Sequence, residues 1–349
     1  MEIDGSQLEG GGQILRVTCS FAALLKKDIH IHSIRKNRKN PGLANQHVVC
    51  ISAIRDLFSI PVDSLKEKQT ELFFPASKAV LPPQPIMKKF SMRGAGSCCL
   101  VLQSLMPCLF AIEGVHHIIV CGGTHTLWAP SPEYFMQIYS PPLRDMGILL
   151  EVQIRRFGFF PRGGGEIECT MTCPAEIKPI VQNGRGKALR VVGRVIGGND
   201  QDFTIGDVAS ELKKELRKVV KFGGEVVKSE IEVVNVGGKA KIVEIFVEFE
   251  SCRISSFVVE ENNEGWGKLL ERSLERLQME LKHDGCCDEY LQDMMLVPMA
   301  LAKGKSRITC GEVSMHSKTM FEVIKQMMGV EFVVTKSTNC NVIECDTSK

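Results

Sequence analysis

The pattern of apolar and polar residues near the start of the chain predicts a strand, a glycine-rich turn and a helix. Three consecutive glycines, Gly10–Gly12, separate a short apolar run from residues with helical periodicity over Ile14–Leu25. The inward positions of this helix are Leu15, Val17, Phe21 and Leu24. A strand over Asp28–Ile34 and a second helix that opens within residues 41–47 complete the unit.

The same order of elements recurs in the next part of the chain. The turn Gly94–Ser97 precedes a helix, a strand over His117–Cys121 and a second helix that opens within residues 129–134. The inward positions of the first of these helices are Leu100, Leu102, Leu105 and Leu109. This second unit therefore looks like a copy of the first.

A third, partial copy lies near the C-terminus. It has a helix over Glu289–Leu301, a strand over Lys305–Cys310 and a helix that begins near His316. We interpret the three segments as repeated β-α-β-α-β-β units whose equivalent loops converge on one shared site.

The segment 184–280, between the second and third units, has a different order of predicted elements. It is predicted to hold a strand over Ala188–Ile196, a helix over Asp207–Phe222 that Gly223-Gly224 ends, strands over Glu225–Val236, Ile242–Glu250 and Cys252–Val259, and a helix over Lys268–Leu281. The predicted fold class is therefore α/β, of the α+β type. Residues 1–183 and 281–349 form the main body of three repeats, and 184–280 form a smaller inserted α/β domain.

The charge, apolar content and cysteines of the chain limit its expected partners and cellular compartment. The chain has 349 residues, 44% of them hydrophobic, and a formal net charge of only +2. Any nucleic-acid binding must therefore come from local patches, of which Arg35–Lys39 is the densest, although such a run is more often only a solvated loop. The 14 cysteines are scattered. No apolar run reaches spanning length, and no secretory signal opens the chain, so we expect no membrane partner and a reducing compartment, the nucleus (nucleoplasm) or the cytoplasm.

The most informative stretch is the first glycine turn together with its neighbours Glu9 and Arg16. Glycines allow a close approach of the backbone, and the following helix adds a partial positive charge, so the turn is suited to a phosphate. Arg16 would grip phosphate oxygens, and Glu9 would hold a divalent cation or orient a hydroxyl. A tight turn with a solvated charge pair is the alternative.

His316 stands at the predicted opening of a helix, in a position that the repeats align with Gln46-His47. A neutral imidazole there is a competent nucleophile, and the helix terminus opposes its protonation. The alternative for His316, and for His47, is a histidine that only caps a helix.

Two other stretches carry candidate chemistry. Tyr290 and Asp293 lie three residues apart on one predicted helical face, where they would stack a base and hold an amine or metal, or simply begin an amphipathic helix. The second glycine triplet, Gly163–Gly165, precedes a strand and not a helix, so we interpret it as a structural turn.

These motifs, in this order, resemble the RNA 3′-terminal phosphate cyclase family over nearly the whole chain, most weakly in the inserted segment. The matching residues are Asp4-Gly5-Ser6, Glu9-Gly10-Gly11-Gly12-Gln13-Ile14-Leu15-Arg16, Ile34-Arg35, Arg38, Pro41-Gly42-Leu43, Gln46-His47, Ala95-Gly96-Ser97, Leu102-Gln103, Gly122-Gly123-Thr124, Ala129-Pro130, Phe160-Pro161, Gly163-Gly164-Gly165-Glu166, Glu289-Tyr290-Leu291, Asp293, Met299-Ala300-Leu301-Ala302 and His316.

The resemblance implies an ATP-dependent enzyme that converts an RNA 3′-phosphate to a 2′,3′-cyclic phosphate through a histidine-AMP adduct and an RNA(3′)pp(5′)A end. The implied catalytic residues are His316, Glu9 and Arg16, with Glu9 near Mg²⁺ or Mn²⁺. The implied nucleotide contacts are Gln103, Pro130, Tyr290 and Asp293. The implied contacts to the RNA end are Arg35, Arg38, Gln46 and His47. The attacking 2′-hydroxyl implies RNA and not DNA as the preferred substrate.

The chain departs from the family pattern at a few positions. Met294 follows Asp293 where the family usually has glutamine, and His125 and Trp128 replace smaller polar residues. Two other hypotheses remain open from the sequence. One is a catalytically inactive cyclase-like protein that acts by binding in ribosome biogenesis, although such proteins lack the Glu9–Arg16 block and a histidine matching His316. The other is an α/β repeat protein that binds a small phosphorylated metabolite.

Overall fold

The structure is a computed structural model that describes residues 1–201, 203–219, 221–222, 225–237 and 239–348. The first part of the chain forms strands β1 (Glu2–Asp4), β2 (Ile29–His32) and β3 (Leu72–Phe74), helices α1 (Gly12–Leu25) and α2 (Asn45–Leu57), and a 3₁₀ turn at Ala76–Lys78. β1 and β2 are parallel, with Ile3 opposite Ile31, and β3 adds to β2 in the antiparallel sense. Because both isoleucines are buried, this pairing places their face of the sheet against the core.

The second part of the chain contains a four-stranded sheet. Its elements are β4 (Ile86–Ser91), α3 (Cys98–Phe110), β5 (Gly114–Gly122), α4 (Pro132–Tyr134), a π-helical turn (Phe135–Tyr139), α5 (Ser140–Asp145), β6 (Leu149–Arg156) and β7 (Gly165–Cys173). The strand order is β4-β5-β7-β6, with β4 and β5 parallel and the other pairs antiparallel. The interpretation of Gly163–Gly165 as a turn before a strand is confirmed, because β7 begins at Gly165.

The predicted insertion forms its own mixed sheet. Its elements are β8 (Ala188–Gly197), α6 (Ile205–Val219), β9 (Lys221–Phe222), β10 (Glu225–Val226), β11 (Lys228–Asn235), β12 (Lys241–Phe249), β13 (Arg253–Val259) and α7 (Trp266–Glu280). The order of the main sheet is β11-β8-β12-β13. The predicted end of the first helix at Phe222 is wrong, since α6 ends at Val219 and Phe222 belongs to a strand. Its predicted stop, Gly223-Gly224, lies outside the described residues.

The last part of the chain begins with a helix that reaches the middle of the molecule. Its elements are α8 (Leu291–Leu301), β14 (Lys305–Cys310), α9 (Met315–Met328), β15 (Val333–Lys336) and β16 (Asn341–Asp346). The three strands are antiparallel, in the order β14-β16-β15. α8 is shorter at its start than predicted, because Tyr290 is the residue that precedes its first turn.

α1 is the central helix of the body. It packs against α2, α3 and α9, and α8 packs against α3 and α9, so helices from all three parts of the body meet around it. One hydrophobic cluster spans these parts, and a second one belongs to the insertion, where Val191, Leu212 and Trp266 are fully buried. The α+β class is confirmed. The equivalence of the three units, and the domain boundaries at 183/184 and 280/281, stay predictions. Among the described residues, every helix is too short or too polar to span a lipid bilayer.

Candidate active site

The first glycine turn brings the backbone of α1 close to several charged side chains. Gly10 has a φ of 57°, a conformation that favours glycine. Gly11 is the residue that precedes the first turn of α1, and no side chain among the described residues accepts a hydrogen bond from the N-terminal N–H groups of this helix. The first N–H groups of the helix are therefore open to an anion. A Cβ atom on Gly11 would clash with the carboxylate of Glu9, and one on Gly12 would clash with the ring of His47. The two glycines are what permits this close approach.

Arg16 lies one turn into α1, beside Gly12 and the two site histidines. Its Nη1 atom would be 2.9 Å from a Cβ atom on Gly12, and its charge lowers the pKa of both His47 and His316. Its guanidinium forms no hydrogen bond with any residue that the structure describes. Burial lowers the pKa of Arg16 itself, and Cys50 and Asp293 act in the opposite direction. A half-buried guanidinium with free donors is suited to phosphate oxygens.

His47 is held as a neutral hydrogen-bond donor. The backbone N–H of Ala44 donates to its Nδ1 atom at 3.0 Å, so the proton of the neutral ring is on Nε2, the atom nearest Gly12. Burial, followed by the charges of Arg16 and Arg35, lowers the pKa of His47 to about 3. The ring therefore offers an N–H group to the glycine turn throughout the physiological pH range.

Glu9 and Arg38 form an ion pair at the edge of the turn. The Nη2 atom of Arg38 bonds Oε1 of Glu9 and donates to the carbonyl oxygen of Glu9 at 2.7 Å. The other carboxylate oxygen, Oε2, is buried and finds no hydrogen-bond partner among the described residues. Arg35 lies on the same loop, where its Nη1 atom donates to the carbonyl oxygen of Gly42 at 2.9 Å.

His316 lies at the start of α9 and is joined to α1 and α8 by a chain of hydrogen bonds. Its Nδ1 atom is 3.0 Å from Oε1 of Gln13, and the Nε2 atom of Gln13 donates to Oδ2 of Asp293 at 2.6 Å. Since the carboxylate can only accept when ionised, it sets the orientation of the Gln13 amide. Nδ1 of His316 then carries the proton, and Nε2 carries the free lone pair.

The surroundings of His316 favour the neutral form of its ring. The removal of water from around the ring lowers its pKa, and the charges of Arg16 and Arg38 lower it further, while Glu289 opposes them. Part of the side chain remains exposed to solvent at the first turn of α9. A neutral imidazole with an accessible lone pair is a nucleophile.

Asp293 is buried in the first turn of α8. Burial raises its pKa to about 7, and the charge of Arg16 and the hydrogen bond from Gln13 limit the rise. The carboxyl group therefore titrates near neutral pH, unlike an exposed aspartate.

Two polar residues that sequence reasoning missed attach α9 to the rest of the site. The Oε1 atom of Gln292 accepts hydrogen bonds from the N–H of Ser314 at 3.0 Å and from the hydroxyl of Ser317 at 2.9 Å. The backbone N–H of Glu9 donates to Oγ1 of Thr319 at 3.3 Å, which joins the glycine turn directly to the helix of His316. Nothing in the sequence pattern distinguishes these residues, because their partners are distant along the chain. Gln13 was likewise missed as a site residue, although it stands inside the motif.

A narrow cavity lies between α1, α3 and α8, beside the chain of hydrogen bonds from Asp293 to His316. Its lining residues are Gln13, Arg16, Val17, Gln103, Met106, Pro107, Phe110, Tyr139, Asp293, Met294, Val297 and Met320. The structure thus brings Gln103 and Asp293 together with Arg16, and Met294 adds to the apolar part of the wall.

The other predicted nucleotide contacts lie outside this lining. Tyr290 packs edge-on against Tyr134, with ring centroids 6.4 Å apart, and its hydroxyl bonds Arg276 of α7. Pro130 is half-buried in the loop that follows β5. Gln46 faces the second glycine turn: its Oε1 accepts from the N–H of Ser97 at 2.6 Å, and its Nε2 donates to the carbonyl of Ser97 at 3.2 Å.

A buried charged cluster joins the loop after β5 to the inserted sheet. The Nε2 atom of His125 is 2.9 Å from Glu133, and Arg194 pairs with both Glu133 and Glu244 at 3.6 and 3.5 Å. Burial raises the pKa of Glu244 to about 7. Sequence reasoning missed this cluster, apart from noting that His125 is unusual, since its members come from separate parts of the chain.

Comparison with known proteins gives a consistent result over the whole length. Residues 7–334 match the family model described as RNA 3′-terminal phosphate cyclase. A probable RNA 3′-terminal phosphate cyclase of Dictyostelium discoideum is 31% identical over 99% of this chain and 82% of its own. The RNA 3′-terminal phosphate cyclases of Thermococcus gammatolerans and Drosophila melanogaster are 30% and 27% identical, each over 96% of this chain and 94% and 92% of their own. The chain therefore belongs to the RNA 3′-terminal phosphate cyclase family, a family of enzymes.

Proposed function

We propose that this protein converts the 3′-terminal phosphate of RNA to a 2′,3′-cyclic phosphodiester at the expense of ATP, with His316 as the nucleophile. One observation carries the proposal. The ring of His316 is joined through Gln13 to the buried carboxyl of Asp293, next to a glycine turn that offers phosphate-binding groups. Family membership supports the same reaction.

In the first proposed step, Nε2 of His316 attacks the α-phosphorus of ATP. A P–N bond forms, the P–O bond to pyrophosphate breaks, and pyrophosphate leaves. The ring becomes positively charged as the bond forms, and the accepting oxygen of Gln13 at Nδ1 stabilises that charge. Arg16, the Nε2–H group of His47 and the N–H groups at the start of α1 neutralise the phosphate oxygens.

In the second proposed step, an oxygen of the RNA 3′-phosphate attacks the phosphorus of the AMP that is bound to His316. A P–O bond forms, the P–N bond breaks, the imidazole leaves as the neutral ring, and the RNA carries a 3′-pp-5′-A end. Arg38 and Arg35 would hold the incoming terminal phosphate, and their position on the loop beside the glycine turn supports this role.

In the third proposed step, the neighbouring 2′-hydroxyl oxygen attacks the activated 3′-phosphorus. A new P–O bond closes the ring, AMP leaves, and the hydroxyl proton is released. Since the attacking oxygen belongs to the ribose, the substrate is RNA and not DNA.

A divalent cation, Mg²⁺ or Mn²⁺, fits the carboxylate of Glu9. The buried, unpartnered Oε2 atom of Glu9 is an oxygen ligand that protein groups leave unused in the described part of the chain. Magnesium sites in proteins commonly have one or two carboxylates and take their remaining ligands from substrate phosphates and water. The ion, when bound, would offset the negative charge of the triphosphate.

The experiment that tests the proposal is self-adenylation without RNA. The protein is incubated with ATP labelled at the α-phosphate and with magnesium, denatured, and examined for label that is acid-labile and alkali-stable, as a phosphoramidate is. We expect label on the wild type and on the control His30→Asn, a half-buried histidine of β2 outside the site, and none on His316→Asn. Equal labelling of His316→Asn, or no label on the wild type, refutes the mechanism and leaves a protein that only binds.

We place the protein in the nucleus or the cytoplasm. All 14 cysteines are free, and most are buried. Unpaired thiols in such number are typical of a reducing compartment.

A further inference from the structure

Two large aromatic side chains are unusually exposed on loops near the candidate active site. Trp128 is 79% exposed and Phe160 is 87% exposed. Aromatic side chains of this size normally bury most of their surface, so their exposure marks a surface that contacts something else. The chain's other tryptophan, Trp266, is fully buried.

The backbone at Trp128 is held in an uncommon conformation. Its φ is 64°, in the left-handed region that bulky residues rarely adopt. The flanking residues His125, Ala129 and Ser131 are buried and anchor both ends of the loop. Such strain persists only where the surroundings enforce it, and it is concentrated at functional sites.

Three loop segments, 93–97, 122–131 and 157–165, form one continuous surface that we call the loop platform. The N–H of Thr124 donates to the carbonyl oxygen of Gly158 at 2.8 Å, and the N–H of Gly123 donates to the carbonyl oxygen of Gly96 at 2.6 Å. A Cβ atom on Gly163 would lie 3.0 Å from the Cα atom of Ala95. The loops of Trp128 and Phe160 are therefore joined to each other and to the second glycine turn.

The loop platform adjoins the residues proposed to hold the RNA end. Ser97 bonds the amide of Gln46, which precedes His47 in the chain. Pro130, one of the residues proposed to contact the nucleotide, lies two positions after Trp128. An RNA strand that leaves the terminal-phosphate site in this direction meets the loop platform next.

The charge of the loop platform suits a phosphodiester backbone. Its segments contain two arginines, Arg93 and Arg162, and no acidic residue, and the charges of the residues that flank the third segment, Arg156 and Glu166, offset each other. Within the described part of the chain, neither Arg93 nor Arg162 forms an ion pair. Aromatic rings interleaved with unpaired cations are typical of surfaces that bind single-stranded nucleic acid, where bases stack on the rings.

We propose that the loop platform binds the nucleotides on the 5′ side of the RNA terminus, with a base stacked on Trp128 and the backbone phosphates near Arg93 and Arg162. This inference rests on the proposed function, which supplies the bound RNA end. Loss of a stacked base weakens binding to single strands by about tenfold or more.

The first test uses the fluorescence of Trp128. A 3′-phosphorylated single-stranded RNA of about ten nucleotides is titrated into the full chain without ATP. We expect saturable quenching and protection from acrylamide, and both effects should be lost in Trp128→Phe, where only the buried Trp266 emits. Unchanged emission while anisotropy of a labelled RNA reports binding would overturn the proposal.

The second test compares RNA affinity among variants. Trp128→Ala and Phe160→Ala should each raise the Kd for this RNA by about tenfold, and Trp128→Phe should restore most of the affinity. The matched control is Phe73→Ala, which removes an exposed aromatic ring from edge strand β3 and should leave the Kd unchanged. A Trp128→Ala protein that binds RNA normally but loses self-association in sedimentation would assign the surface to a protein contact and refute the proposal.

The two proposals fail separately. Binding is measured without ATP, so an RNA-dependent change at Trp128 in a protein that never becomes adenylated supports the loop platform and refutes the chemistry. If His316 becomes adenylated but Trp128→Ala leaves the RNA affinity unchanged, the proposed chemistry is supported and the RNA-binding role of the loop platform is refuted.

Discussion

Nδ1 of His316 lies 3.0 Å from Oε1 of Gln13, although the two residues are 303 positions apart. The contact determines which nitrogen of the ring is available for chemistry, because the Gln13 amide is itself oriented by Asp293. A side chain from the first motif of the sequence thus contacts the ring that we propose as the nucleophile.

Gln13→Ala should slow self-adenylation on the order of 100-fold, because the imidazole loses the group that fixes its tautomer and supports its positive charge. Labelling of the protein with α-labelled ATP measures the rate. Gln7→Ala, which removes an exposed glutamine from the same turn, is the matched control. Nitrogen chemical shifts of His316 should show a proton on Nδ1 in the wild type and a mixture of tautomers in Gln13→Ala; equal rates for the two variants would contradict the role of Gln13.

Self-adenylation should increase with pH through about 7. The raised pKa of Asp293 means that its carboxylate, which orients Gln13, is present mainly above that pH. His316 itself has a lowered pKa, so its own deprotonation is complete at lower pH. We expect Asp293→Asn to react more slowly and to lose this increase of rate with pH, while Asp56→Asn, an exposed control on α2, keeps the pH profile of the wild type. If Asp293→Asn shows the same increase of rate with pH as the wild type, the titrating group is not Asp293.

The same carboxyl group should make the wild type less stable at neutral pH than at acidic pH. Its pKa is raised in the folded state relative to the unfolded chain, so the folded protein keeps the proton longer and its stability falls as pH increases from about 4 to about 7. Relative to Asp293→Asn, the free energy of unfolding of the wild type should decrease by a few kcal/mol, at about 1.4 kcal/mol per pKa unit. Denaturant titrations of both proteins at pH 4 and pH 8 measure the difference. A constant difference across this range would show that the Asp293 pKa is not raised.

Glu9→Gln should weaken the binding of a divalent metal at the proposed site. The variant replaces the buried carboxylate whose Oε2 atom is unpartnered in the described part of the chain, so we expect the Mn²⁺ concentration for half-saturation to increase about tenfold. Electron paramagnetic resonance of free Mn²⁺ measures binding directly, without activity. Glu2→Gln, an exposed glutamate of β1, should bind as the wild type does. Identical Mn²⁺ titrations for Glu9→Gln and the wild type would exclude Glu9 as a ligand.

Arg38→Ala should reduce transfer of AMP to RNA about tenfold more than it reduces self-adenylation, since Arg38 is proposed to hold the RNA phosphate. Single-turnover transfer from preformed adenylated protein separates the two steps. Arg55→Ala, on α2 and paired with Asp56, serves as the control. A selective loss of self-adenylation would instead place Arg38 on the triphosphate.

Local patterns predicted the parts of this molecule that depend on neighbours in sequence. The helix after Gly10–Gly12 was expected over Ile14–Leu25 and is found at Gly12–Leu25, because apolar spacing and a glycine turn are both local signals. The strand Lys305–Cys310 and a helix starting next to His316 are also where they were expected.

The connections of the site could not be predicted in the same way. The bonds from Gln13 to Asp293 and from Glu9 to Thr319 join residues 280 and 310 positions apart, and no periodicity encodes such contacts. The boundary of α6 was placed too late because Lys221 and Phe222 continue its amphipathic pattern but belong to a strand. Propensity is a weak guide where tertiary pairing decides.

The hydrogen bond from the backbone N–H of Glu9 to Thr319 links two segments that lie 310 positions apart. Since α1 and α9 also pack against each other, the glycine turn and His316 come together only when these distant segments have packed into one core. Assembly of the proposed site is therefore tied to the folding of the whole body and not to that of one local unit.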